Sequence, residues 1–188
     1  MKNNLDPFKD LKELFKNESD GESLENLLDD LGVDLKELEK SMVEKIKVNY
    51  TSESENELFY NYDSDSGFDL YSNVEITIPP LGRELIPTGV RFDVPENYEI
   101  QIRSKSGLAI NRGIMVLNSP GTVDQGYTGE IKVILFNASN EPQEIKKGMK
   151  VAQAVLSSCL SGSYVILNKI ESIRKKDRND NGFGSTGA

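Results

Sequence analysis

Five short segments carry residue types that do chemistry rather than packing. The first is Ser66-Gly67-Phe68-Asp69-Leu70-Tyr71-Ser72, and the second is Arg103-Ser104-Lys105-Ser106-Gly107-Leu108-Ala109. The third, NSPGTVDQGYTGEIKVILFN, runs from Asn118 to Asn137 and holds Asp124 and Tyr127. The fourth is Gly148-Met149-Lys150-Val151-Ala152-Gln153, and the fifth, RNDNGFGSTG, runs from Arg178 to Gly187. In the second, a loop of Ser104, Lys105, Ser106 and Gly107 puts two hydroxyls, one cation and a backbone open to close approach side by side. That donor set suits an anion. The chain has no histidine, which excludes Ser-His and Cys-His catalysis and His-ligated metals. Acid-base chemistry therefore falls to carboxylates, Lys or Tyr. Each segment alone has an ordinary structural reading. Asp69 would end a strand, Asp124 and Gly126 would turn a hairpin, and Gln153 would sit on an exposed strand position. Arg178 would belong to a solvated charge run with Arg174, Lys175 and Lys176, and Phe183 would be an idle aromatic.

The elements that must position these residues change character near Ile46. Residues 1–45 read as a helical extension. Asp6-Pro7 is an N-cap followed by Pro at the first helical position. Phe8, Leu11 and Phe15, then Leu24, Leu27, Leu28 and Leu31, form apolar stripes, the second stopped by Gly32. Asp34 and Glu37 resemble a capping box for a third helix carrying Leu35, Leu38 and Met42. From Ile46 the pattern is that of strands. Ile46, Val48 and Tyr50 alternate, as do Val74, Ile76 and Ile78, then Tyr98, Ile100 and Ile102. Residues 131–136 and 151–156 are nearly continuous apolar runs, and Pro79 to Gly82, Pro95 to Asn97, Asn137 to Pro142 and Lys146 to Gly148 supply turns. Many short strands predict an all-β sandwich, jelly roll or barrel over residues 46–172. Residues 173–188 are too polar for a core and read as a mobile tail.

Composition narrows the function classes. The chain of 188 residues carries a net charge of -9, which argues against stable nucleic-acid binding. Residues 1–45 hold 13 acidic and 7 basic residues, so the rest, with 18 and 15, is only mildly acidic and leaves room for a basic pocket. No apolar run suits a membrane span or a signal peptide, so a cytoplasmic location is expected. The one cysteine, Cys159, cannot form an internal disulfide and reads as a small core residue.

In this order and spacing, the five segments closely resemble the motifs of the trimeric dUTPase family over residues 46–188. The resemblance implies a distorted jelly-roll or β-barrel fold and hydrolysis of dUTP to dUMP and pyrophosphate. That reaction limits uracil incorporation into DNA and supplies dUMP for dTMP synthesis. The resemblance further implies a homotrimer with sites shared across subunits, and Mg²⁺ as cofactor. Asp124 would activate water for attack on the α-phosphorus. Aspartate is a weak base, but it aligns water and accepts the proton late. Asn118 would bond the uracil edge, in a substrate hairpin with Gly121, Thr122 and Val123. Tyr127 would pack on the deoxyribose and exclude a ribose 2'-hydroxyl. Ser106 and Gln153 would contact phosphates, with Arg103, Ser104, Lys105 and Gly107 beside them. Asp69 would help hold Mg²⁺ through water. Arg178 would grip the γ-phosphate, while Phe183, with Gly184 and Ser185, would close over the uracil.

The chain departs from the family pattern at Lys105 and Lys150, where Arg is common, and at Asn181, where Gly is usual. Lysine lacks the bidentate reach of arginine. Two competing readings remain. A dCTP deaminase-type relative would need a Glu proton shuttle, and Glu130 is placed too far past the hairpin. A nucleotide-gated interaction protein would use residues 1–45 to meet an unknown protein partner.

Overall fold

This computed structural model describes residues 45–177. The chain divides into two units, Met1–Lys47 and Val48–Ala188, and the account below concerns the second. The helices expected in residues 1–44 and the tail residues Arg178, Asn181, Phe183, Gly184 and Ser185 lie outside the described residues. No helix among those described is long and apolar enough to cross a membrane.

Eleven strands and one short helix make up the described part: β1 (Asn49–Ser52), β2 (Phe68–Tyr71), β3 (Ile76–Ile78), β4 (Arg83–Pro87), β5 (Val90–Asp93), β6 (Tyr98–Arg103), α1 (Ser106–Arg112), β7 (Ile114–Val116), β8 (Gly121–Val123), β9 (Lys132–Asn137), β10 (Gln143–Ile145) and β11 (Lys150–Ser158). Every strand pairing is antiparallel. The largest sheet has the order β2-β11-β6-β8, and a second has β4-β9-β7. Two strand pairs, β1-β5 and β10-β3, complete the set.

The run from Val151 to Leu156 folds as predicted, inside β11. Val151, Ala152, Ala154 and Val155 are all buried, as befits a strand with neighbours on both edges and packing on both faces. In β9 the pattern alternates instead: Val133, Leu135 and Asn137 point inward, while Ile134 and Phe136 are only half-buried. The core gathers Leu70, Ile78, Ile86, Ile100, Ile114, Leu135 and Ile145, each essentially inaccessible to water. Each such side chain contributes roughly 1.5–3 kcal/mol of burial free energy.

Asn137, the last residue of the third segment, is a structural clamp. Its side-chain amide donates to the carbonyls of Ile78, Pro79 and Glu141 at 2.8–3.1 Å. Its carbonyl oxygen accepts from the backbone N–H and hydroxyl of Ser139. A buried amide that satisfies three backbone carbonyls fixes the turn after β9 to the end of β3.

Three sequence expectations need correction. The second segment is not a loop throughout, because Ser106 and Gly107 open α1. That helix buries none of its residues and has no side-chain N-cap bond, so neither apolar spacing nor a cap marks it in the sequence. It stops at Gly113, whose left-handed φ of 66° suits glycine and whose N–H donates to the Ala109 carbonyl. Ile46 and Val48 precede β1, and Val74 precedes β3, so the alternation there overstates the strands. Cys159 lies past the end of β11 and is only half-buried, not a core residue.

Candidate active site

Strand register assembles one cluster from three distant segments. Across β2-β11-β6, Asp69 stands opposite Gln153, and Gln153 stands opposite Arg103. Asp69 is buried, and Lys105 and Lys150 close on it, one on each carboxylate oxygen. The Lys150 contact is 2.7 Å. Burial alone would push the Asp69 carboxyl up. The hydrogen bonds and charges of the two lysines outweigh that and hold it below its ordinary value. Lys150 is raised in turn, chiefly by its hydrogen bond to Asp69.

The loop entering α1 is tied from two sides. The Gln153 side-chain amide donates to the Ser104 carbonyl at 2.9 Å, and the Val116 N–H donates to the Ser104 hydroxyl at 2.9 Å. Ser106 and Gly107 then stand exposed at the start of α1. Space around Gly107 is open: a Cβ there would meet nothing within 4 Å. The Arg103 guanidinium donates to Gln101.

The second cluster is a cavity of about 340 Å³ against the expected hairpin, which consists of β8, paired with β6, and the Asp124–Tyr127 turn after it. Asn118, Gly121, Thr122, Val123, Asp124 and Tyr127 line it, as do Glu130 and Lys132. Leu85, Ile102, Val116, Ile131, Val133 and Ile134 supply apolar wall. A cleft of this size, with polar groups on one side and an apolar wall on the other, suits a small ring-bearing ligand. Gly121 lets the Asn118 amide come close, since a Cβ there would lie 3.2 Å from Asn118 Nδ2. Asp124 is exposed at the rim, and its carbonyl accepts the Tyr127 N–H at 2.9 Å. The Tyr127 hydroxyl donates to the Glu130 carbonyl at 3.0 Å. Glu130 itself anchors the hairpin's exit, because Oε1 accepts the Gly89 N–H at 2.9 Å and Oε2 stands 3.7 Å from Lys132.

The two clusters adjoin where the Val116 N–H meets Ser104, and only the Asp124 end diverges along β6. Gly121 pairs with Ile102 and Val123 with Ile100, so Asp124 follows toward Glu99. Arg103 is four residues from Glu99, about 13 Å along a strand. One chain thus groups Asp69, Lys105 and Gln153, with Arg103 and Ser104, and separately groups Asn118, Gly121, Thr122, Val123, Asp124 and Tyr127.

Sequence reasoning noted Lys150 only as a departure and did not foresee it as a partner of Asp69. The signal was its position three residues before Gln153, but only the β2-β11 register shows what it faces. The apolar wall from Leu85, Val116 and Ile134 was likewise unforeseen.

A test for metal fit follows from the donor set. Among the described residues, no three His, Cys, Asp or Glu side chains gather as a metal cage. Mg²⁺ characteristically keeps several waters and binds through one or two carboxylates plus substrate phosphates. A single buried carboxylate beside exposed Ser106 and Gly107 fits that water-mediated role, provided a lysine yields one oxygen of Asp69.

A family model described as dUTPase matches residues 56–187. The deoxyuridine 5'-triphosphate nucleotidohydrolase of Clostridium kluyveri is 46% identical over 129 residues, spanning 69% of this chain and 88% of the relative. That of Clostridium novyi is 43% identical over 143 residues, spanning 76% and 99%. Among solved structures, Staphylococcus bacteriophage 80alpha dUTPase with dUPNHPP gives a TM-score of 0.66 at 21% identity, covering 77% of this chain and 100% of that one. A mutant dUTPase from phage phi11 of S. aureus, whose structure describes a structural Mg(II) ion, gives 0.59 at 21% identity, covering 68% and 98%. With the family model spanning most of the chain and close relatives matched over most of their length, this chain belongs to the dUTPase family.

Proposed function

We propose that this chain hydrolyses dUTP to dUMP and pyrophosphate, with Asp124 activating the attacking water. The observation that carries the mechanism is the hairpin cavity. Asn118, Tyr127 and an exposed carboxylate, Asp124, line one space, in a chain of the dUTPase family. Asn118 carries both a donor and an acceptor for a pyrimidine edge. Tyr127 offers its ring to the sugar at the rim. Asp124 aligns a water and takes its proton as the water oxygen bonds to the α-phosphorus. The bond from that phosphorus to the bridging oxygen breaks, and pyrophosphate leaves.

The triphosphate would lie along the other cluster. Ser106, Gly107 and Lys105 supply hydroxyl, backbone and cation, while Gln153 holds the Ser104 carbonyl and so orients that loop. Arg178 and Phe183 would complete the site from the tail. Mg²⁺, when bound, would neutralise phosphate charge, with Asp69 as its water-mediated partner.

A homotrimer with shared sites is part of this reading. In one chain Asp124 follows Val123 toward Glu99, about 13 Å along β6 from Arg103, which favours completing its site with the phosphate-binding loop of a neighbour. The outward side of β9-β7 supports it, since Met115 and Leu117 are exposed there beside half-buried Phe136. In the complete fold, the strand pairs and sheets would form the distorted jelly roll. A deaminase reading is disfavoured, because the Glu130 carboxylate is already engaged by Gly89 and Lys132.

The position of attack is tested by hydrolysis in water labelled with heavy oxygen. The label is expected in dUMP. Label in pyrophosphate instead would place the attack elsewhere and remove the mechanism.

A further inference from the structure

Gly129 lies two residues past Tyr127, and its missing side chain has a specific occupant. A Cβ built there would stand 2.6 Å from Tyr127 Oη, 2.7 Å from Cζ and 3.1 Å from Cε2. All three nearest atoms belong to the Tyr127 ring, and none to backbone. Among the described residues the glycines with positive φ are Gly89, Gly113 and Gly148, and Gly129 is not one of them. Its backbone therefore accepts any L-residue, and conformational freedom does not explain the glycine. Gly126, in the same hairpin, has open space around the equivalent atom. What position 129 accommodates is the ring.

The hydroxyl end of the ring is held in that seat, and the backbone of Tyr127 is tied to the turn before it. The Tyr127 N–H donates to the Asp124 carbonyl, and the hydroxyl donates to the Glu130 carbonyl. Glu130 is in turn fixed by the Gly89 N–H. A methyl group at 129 leaves the ring only one response, to swing off its seat and give up the bond to Glu130. Because the ring is half-exposed, the swing meets water rather than core.

We propose that Gly129 is a specificity-determining residue acting through Tyr127: its absent side chain seats the Tyr127 ring at the cavity rim, where the ring discriminates deoxyribose from ribose. This rests on the reading of Tyr127 as the sugar gate. Gly129 touches no substrate and is a positioning residue.

The test compares kcat/KM for dUTP and UTP in the wild type, Gly129→Ala, Tyr127→Ala and the double variant, with the melting temperature of each. Steric rejection of one added hydroxyl is worth about 10²-fold in a pocket of this kind. Gly129→Ala is expected to lose roughly tenfold or more of the dUTP preference while melting close to wild type. The double variant is expected to match Tyr127→Ala, because the two residues act as one unit. If Gly129→Ala keeps the wild-type preference while Tyr127→Ala loses it, the gate stands and the role of Gly129 is refuted. A double variant clearly less selective than Tyr127→Ala would also refute it. If Tyr127→Ala keeps full preference, the gate reading itself fails, and this inference with it.

Discussion

Asp124 and Tyr127 hang from one hairpin, joined by a single backbone hydrogen bond, yet they answer to different tests. Asp124→Asn keeps the shape and removes the proton acceptor. Binding of a non-hydrolysable dUTP analogue is expected within a few-fold of wild type, with turnover lowered by roughly 10²-fold or more. Near-normal turnover would take Asp124 out of the mechanism. Tyr127→Ala should instead act on the choice of sugar, relaxing the preference for dUTP over UTP. At this scale the sequence was informative about residue types and poor about partners. The absence of histidine left carboxylates, Lys or Tyr for acid-base chemistry, and the family resemblance, not local spacing alone, singled out Asp124. That Lys105 and Lys150 would both close on Asp69 was not legible, because strand register, not local spacing, brings them together.

Strand β6 is the element that organises the site, with the Lys105 loop at one end and the Asp124 side of β8 toward the other. Strands β9 and β11 were legible because their apolar runs are long. The three-residue strands β7, β8 and β10 are too short for alternation to register, whereas β3 was read because Ile76 and Ile78 continue the alternation from Val74. Helix α1 escaped for another reason: it presents no apolar stripe and no capping side chain. The β2-β11 pairing makes its own prediction. Lys150→Met removes one of two cations from a buried carboxylate while Lys105 remains. The lysine side chain is 42% exposed, so solvent screens the pair, and the expected loss of stability is only about 1 kcal/mol. Urea unfolding reads it, and an unchanged midpoint would show that the pair adds nothing. The segment beyond Ile173 is tested by deleting residues 174–188. Most turnover should be lost while the melting temperature stays near that of the full chain. A truncated enzyme with full activity would show that Arg178 and Phe183 take no part.

At the scale of the whole molecule, the proposed trimer links the exposed apolar face to the split site. Leu117→Lys places a charge on a side chain that is half-exposed in a single chain. An isolated subunit should tolerate it, while a subunit interface should not. Light scattering is expected to show a shift away from trimer, with turnover falling in parallel. An unchanged trimer would place the interface on another face. The mostly β character of the described residues was legible from alternation and turn residues. How many chains complete a site is a property of surfaces and was carried only by resemblance. The central claim, that this chain is a dUTP hydrolase, is tested most directly by pyrophosphate release from dUTP, dTTP, dCTP and UTP, measured side by side with the full chain and Mg²⁺. Rapid release from dUTP, with little from the other three, is the expected result. No release from dUTP, or ammonia from dCTP in its place, would contradict it.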